Sequence, residues 1–286
     1  MDDGRSGFLN GLTGVAIFSG SLPATRVAVQ AFDPLFLTVA RGSIAALLAI
    51  SFLVVTRARR PTGPQFALLA VVSMGVVIGF PLLSALALRH VTSAHAMLFI
   101  GLLPLSTAAF AVLFGKERPQ PAFWLFSLMG SALVGAYALR DGFSGSMVGD
   151  GAMLAAVVVC GLGYAEGARL SRELGGTEVI SWALVLALPA MVPLALYFAP
   201  ASLDVPASAW VGLAYVSVFS MFVGFLFWYR GLAQGGVGRV GQLQLLQPFM
   251  GLILAALLLG EQVGWAMVAV TAGVVLCVAG ARRFAA

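Results

Sequence analysis

Charge is what this chain has least of. Only 9% of its 286 residues are Asp, Glu, Lys or Arg, lysine occurs once, as Lys116, and histidine and cysteine occur twice each. So little polar surface cannot wrap a soluble globule of this length. Cys160 and Cys277 both fall inside apolar stretches, so neither a disulfide frame nor a zinc site is supported. The chain has no His-Glu-x-x-His, no Gly-x-Ser-x-Gly and no paired intramembrane aspartates, which leaves an embedded enzyme without a nucleophile and base. There is no phosphate-cradling P-loop, so ATP cannot power work on this chain. No cofactor and no metal are expected. The start also lacks a basic n-region and a clear small-residue cleavage site, so its first apolar run reads as a retained helix.

What remains is 60% apolar, with a mean hydropathy of +1.01. That is a polytopic membrane protein. A bilayer core needs roughly 20 apolar residues per helix, and ten spans of about that length can be placed: Phe8–Val29, Pro34–Thr56, Gln65–Leu88, Ser93–Gly115, Pro121–Leu139, Gly149–Leu170, Val179–Phe198, Ala207–Leu232, Val237–Gly260 and Val263–Ala281. Strands are excluded, because a lipid-exposed edge leaves its backbone unsatisfied and the runs lack the alternation of a membrane barrel.

The net charge of +5 sets orientation rather than nucleic-acid binding, since the basic residues sit singly or in threes between spans. With the N-terminus cytoplasmic, Arg5, Arg57, Arg59, Arg60, Lys116, Arg118, Arg169, Arg172, Arg230, Arg239, Arg282 and Arg283 collect inside. Only Arg26, Arg89 and Arg140 fall outside, with Arg41 within a span. Both termini are therefore expected in the cytoplasm and the chain in a bacterial inner membrane.

Two segments carry the same outline. Arg239–Glu261 reads RVGQLQLLQPFMGLILAALLLGE and His95–Glu117 reads HAMLFIGLLPLSTAAFAVLFGKE, with Pro104 matching Pro248 and Glu117 matching Glu261. Gly20 and Arg26 match Gly163 and Arg169, and Leu88 matches Leu232, at the same offset of 143 to 144 residues. The chain thus divides into repeats at 1–142 and 143–286. Five spans per half is an odd number, so the second half enters the membrane with opposite polarity: an all-α membrane protein of two inverted repeats.

The segments ALALRHVTSAHAMLF (Ala85–Phe99) and PLFLTVARGSIAALL (Pro34–Leu48), with the helices ending at Glu117 and Glu261, resemble EamA-type, ten-helix members of the drug/metabolite transporter superfamily over nearly the whole chain. Within that superfamily the chain looks most like YddG-type exporters of aromatic and other neutral amino acids. The resemblance implies a basket of two five-helix halves, with spans 1, 3, 4, 6, 8 and 9 ringing a central cavity. One departure stands out: Arg41 has no arginine counterpart near Ala183 and Leu184.

Independently of that likeness, helices interrupted at matching depths mark the substrate site of transporters with inverted repeats. Such breaks are expected at Gly20 and Pro23 in the first span, at Gly161 and Gly163 in the sixth, and at Pro104 and Pro248 in the fourth and ninth. Glycines four apart, Gly7 and Gly11, Gly75 and Gly79, Gly163 and Gly167, and Gly231 and Gly235, read as close helix crossings.

Polar groups at membrane depth are costly, so each needs a partner or a role. Gln244 and Gln247 share a helix face, whereas Gln242 points away from them. Their amides suit a zwitterionic ligand, and interhelical hydrogen bonding is the alternative. Glu166 reads either as a coupling carboxylate or as a partner of Arg169 or Arg172. Arg41 could take a ligand, snorkel outward or pair with Asp33. His95, placed at the cytoplasmic start of the fourth span, is a gating candidate or a hydrogen-bonded structural residue. Phe80, Phe99, Tyr164, Phe225, Trp228 and Tyr229 are either cavity walls or core.

Two classes follow from these readings: a secondary transporter of small amphipathic metabolites working within the lipid bilayer, or, far less supported, an intramembrane enzyme. Within transport, neutral and aromatic amino acids stand first, and other organic solutes or cationic drugs second. The internal pseudo-dimer can bury its own cavity and needs no partner chain.

Overall fold

The computed structural model describes residues 2–114, 120–138, 146–202, 204–235 and 240–284. The expectations placed on Lys116, Glu117, Arg118, Arg140 and Arg239 lie outside these residues, as does the side chain of Gln242. Among the described residues the structure is all helical and follows the ten expected spans in order. Six of them, Pro34–Val55, Gly63–Ala87, Ser93–Phe114, Met147–Leu174, Gly176–Tyr197 and Ala207–Gly231, are long and apolar enough to cross a bilayer. Pro121–Val134, Leu243–Leu259 and Trp265–Ala281 are shorter apolar helices.

Polar residues at the span ends start these helices. Asp33 caps the second span by accepting from the Leu35 and Phe36 amides at 2.8 and 3.4 Å, with Pro34 in the first helical position. The Thr62 amide donates to the Gln65 side chain at 2.9 Å, Thr92 accepts from the His95 amide, and Ser146 accepts from the Gly149 amide. Gly260 ends the ninth span at φ +62°, a left-handed stop that a side chain would strain.

The helix pairings have the symmetry of an inverted duplication. The first span packs on the eighth as the sixth packs on the third, the fourth meets the sixth as the ninth meets the first, and the second and seventh, the fourth and ninth, and the fifth and tenth pair across the pseudo-axis. The first and eighth spans run antiparallel, from Gly11 beside Gly231 through Phe18 beside Phe225 to Ala24 and Ala28 beside Gly212. Glycine makes that crossing and its counterpart possible. A methyl group on Gly231 would lie 2.5 Å from the Gly11 amide nitrogen, and one on Gly75 would lie 2.5 Å from the Val159 carbonyl and 3.0 Å from Gly163 Cα.

The sixth span corrects an expectation. Met147–Leu174 is one unbroken helix through Gly161 and Gly163. Those glycines serve approach instead of interruption, Gly161 lying against Ser106 and Gly163 against Gly75 and Val76. The breaks fall elsewhere. The first span turns at Gly20, with Pro23 inside the short helix that follows, Ser21–Ala28. The fourth breaks at Gly101 and Leu102, and Pro104 is the second residue of its restart, Leu103–Phe114. The ninth passes from a 3₁₀ segment, Gly241–Leu246, into Gln247–Leu259, with Pro248 again second. Proline is tolerated there because the first helical amides have no partner to lose. The third and eighth spans carry π-helical stretches that the sequence reading missed, Ser73–Gly79 and Tyr215–Val223. They start 142 residues apart and contain Ser73 and Ser217, a further buried pair at the 144 offset.

The buried apolar side chains form two clusters, one around Leu22, Leu88, Met97 and Met153, the other around Val15, Leu69, Leu184 and Phe225. The site lies where they meet.

Candidate functional site

Irregular backbone converges on this seam. Ser21 and Leu22 directly follow the turn at Gly20, and Ile100 and Leu103 bracket the turn at Gly101 and Leu102. Val76 lies in the first π stretch, Ser220 and Met221 lie in the second, and Gln247 is the residue where the ninth span restarts. All of them line one cavity of about 490 Å³ of atom-free space, completed by Arg41, Phe80, Cys160, Tyr164 and Phe225 among others. π turns and helix breaks recur at functional sites because they free backbone groups and re-aim side chains. Much of that space is narrow, with room for a few waters.

The lining is symmetric in position and unequal in chemistry. Leu103 and Gln247 are equivalent at the 144 offset, as are Val76 and Ser220, and both pairs face the cavity with one apolar and one polar member. Ser21 and Ser220 join by a 2.6 Å hydroxyl bond, and Gln247 lines the same cavity. Tyr164 meets Phe225 edge-on at 6.3 Å, forming an aromatic wall with the half-buried Phe80.

Arg41 is the charge in this cavity. Its position is a departure from the basket expected of spans 1, 3, 4, 6, 8 and 9, because it reaches the lining from the second span. It is 4% exposed, its Nε has no hydrogen-bond partner, and among the described residues it makes no ion pair. The expected pairing with Asp33 does not form, because that carboxylate is engaged in capping its own helix. No Asp or Glu is among the residues lining the cavity.

The other candidates lie outside the lining. Gln244 is buried one turn from Gln247. Phe99 is core, its ring 5.8 Å from that of His95. Trp228 packs edge-on to Phe18 at 6.5 Å. Tyr229 stacks on Phe225 at 5.9 Å but lines a separate crevice with Gly176, Glu178 and Arg230 at the end of the bundle that holds both termini. Glu166 is buried 3.7 Å from Arg169, one turn along its own helix, and its Oε2 accepts no hydrogen bond.

His95 corrects another expectation. Asn10 near the N-terminus bonds Gln234, and the Gln120 amide bonds the Phe284 carbonyl near the C-terminus, which puts both termini at the end where the fourth span finishes. His95 begins that span and so lies at the opposite end, where its Nε2 is 2.7 Å from Asp150 Oδ1. Glu261 joins the fourth span at this same end, bonding Ser93 and Ala94.

A cavity at the seam of two inverted halves, lined by helix breaks in the first, fourth and ninth spans and by π stretches at matched places in the third and eighth, is the arrangement of a membrane transporter. The chain belongs to the EamA-like transporter family, which matches it twice, over residues 5–139 and 147–282. It is 62% identical over the full length of both chains to the uncharacterized transporter YdeK of Bacillus subtilis. It is also 25% identical to a probable terminal-alkyne amino-acid exporter of Streptantibioticus cattleyicolor, over 86% of this chain and 83% of that one. A solved protein structure of 23% identity superimposes over 98% of both chains with a TM-score of 0.67, which shows the shared fold. Family membership makes this a transporter rather than an enzyme.

Proposed function

We propose that the protein exports small amphipathic carboxylates, neutral and aromatic amino acids first among them, by alternating access of two inverted halves. The observation that carries this reading is Arg41. An unpaired buried cation costs several kcal/mol, and a guanidinium facing a cavity is matched by a carboxylate, which it can hold through two parallel hydrogen bonds. The amide of Gln247 and the Ser21–Ser220 hydroxyls offer acceptors for an ammonium group, and Tyr164, Phe225 and Phe80 offer a face for an apolar or aromatic side chain. The Streptantibioticus relative, a probable terminal-alkyne amino-acid exporter, supports the same class. A cationic drug is the poorer fit, since it would meet Arg41 with no carboxylate among the residues lining the cavity to offset it.

The arginine bias supports a cytoplasmic position for the end with both termini, and on that orientation outward release passes the His95–Asp150 and Glu261–Ser93 contacts. Counterflow into proteoliposomes tests the reading, with labelled phenylalanine, phenethylamine and a quaternary-ammonium drug side by side. Saturable phenylalanine exchange is expected. Exchange of phenethylamine at an equal rate would show that the carboxylate is not read, and drug exchange alone would replace the amino-acid reading with a multidrug one.

A further inference from the structure

At the end that holds both termini, the second span stops at Val55 and the chain turns sharply. Arg57 takes φ +50°, a left-handed conformation unusual for a residue with a side chain. The turn is held by bonds from the Arg57 amide to the Val54 carbonyl and from the Ala58 amide to the Leu53 carbonyl. Trp182 of the seventh span then pins it, its indole Nε1 donating to the Arg59 carbonyl at 3.1 Å. The result is a groove of about 660 Å³ between the second and seventh spans. Arg57 and Arg60 line its rim, and Ile50, Val54 and Val185 line its floor.

Neither Arg57 nor Arg60 has an ion pair or a side-chain hydrogen bond among the described residues. The floor runs onto exposed apolar surface at the end of a membrane span, with Val54 70% and Val55 82% exposed. We propose that this groove seats an anionic glycerophospholipid of the cytoplasmic leaflet. The phosphodiester lies between the Arg57 and Arg60 guanidiniums, and the first methylenes of an acyl chain lie along Ile50, Val54 and Val185. Phosphate suits paired guanidiniums, and basic pockets between helices at the cytoplasmic face bind anionic headgroups. The apolar floor selects a lipid over a soluble anion, which would leave it bare. This site is independent of what the cavity carries.

Native mass spectrometry of the full-length protein in mild detergent tests the assignment, titrating phosphatidylglycerol, phosphatidylethanolamine and inorganic phosphate. Two basic side chains near the headgroup predict a preference of roughly tenfold for phosphatidylglycerol over phosphatidylethanolamine. The double variant Arg57→Gln/Arg60→Gln is expected to bring that ratio below about twofold, while Arg172→Gln, at the same end but outside the groove, leaves it unchanged. Should the double variant not fold, Arg60→Gln alone, at a position of ordinary backbone, is expected to cut the preference about threefold. Equal binding of the two lipids, or a preference that survives loss of both arginines, overturns the assignment. Displacement of phosphatidylglycerol by millimolar phosphate would make this a soluble-anion site and overturn it as well.

Discussion

Glu261 and Ser93 are joined by two hydrogen bonds across the two halves of the chain. The Ser93 amide donates to one carboxylate oxygen at 3.0 Å and its hydroxyl donates to the other at 2.8 Å, with the Ala94 amide adding a third bond at 2.7 Å. A carboxylate placed on the first amides of a helix also complements the helix dipole. This contact ties the loop after the ninth span to the start of the fourth, at the end opposite the termini.

Glu261→Ala is therefore expected to loosen that end. Losing bonds that leave two helix amides unsatisfied costs about 1–3 kcal/mol. The check is maleimide labelling of a cysteine introduced at Leu103 in the cavity, with reagent added from the side opposite the termini in a background free of Cys160 and Cys277. Labelling faster than with Glu261 intact is expected, and an unchanged rate would show that the contact does not hold the end shut.

Arg41→Gln should raise the KM for phenylalanine at least tenfold, with folded protein retained because glutamine keeps much of the volume. Arg41→Lys should recover only part of the loss, since an ammonium cannot grip a carboxylate with two parallel bonds. Gln247→Ala should weaken transport less, by severalfold. Proteoliposome exchange kinetics separate these three outcomes.

The glycine crossings should be intolerant of bulk. Gly75→Leu and Gly231→Leu each force two helix backbones apart, and overpacking of this kind costs about 1–3 kcal/mol or more. Denaturant unfolding in detergent should show both less stable than a control such as Gly151→Ala, where a methyl meets nothing within 4 Å.

Exchange should proceed without proton movement. Glu166, the coupling candidate, stands outside the cavity lining with Arg169 beside it. Glu166→Gln is expected to leave phenylalanine exchange within about twofold. A substrate-driven proton flux in dye-loaded vesicles, lost in that variant, would reverse this.

The ten spans and the close glycine pairs were legible because each rests on local composition: apolar length or a missing side chain. The prolines were legible as breaks, though Pro104 and Pro248 prove to sit in the restarts and not at the gaps. Gly161 and Gly163 misled because glycine serves both interruption and close approach, and only the neighbouring helix decides which. The π stretches left no mark beyond Ser73 and Ser217, since one extra residue per turn needs no particular composition. Arg41 could be seen as costly, but its arrival in the cavity depends on how the second span leans. His95 was misplaced by orientation: three crossings precede the fourth span, so it begins on the far side.

Leu103 and Gln247 occupy matching posts with unlike chemistry, and that difference has an energetic meaning. Were the halves identical, swapping their conformations would turn an inward-open molecule into an outward-open one of the same free energy, and the two states would be degenerate. Each divergence between matched positions splits that degeneracy. A duplicated scaffold thus provides the two states, and the substitutions accumulated since duplication set which one the empty carrier prefers to occupy.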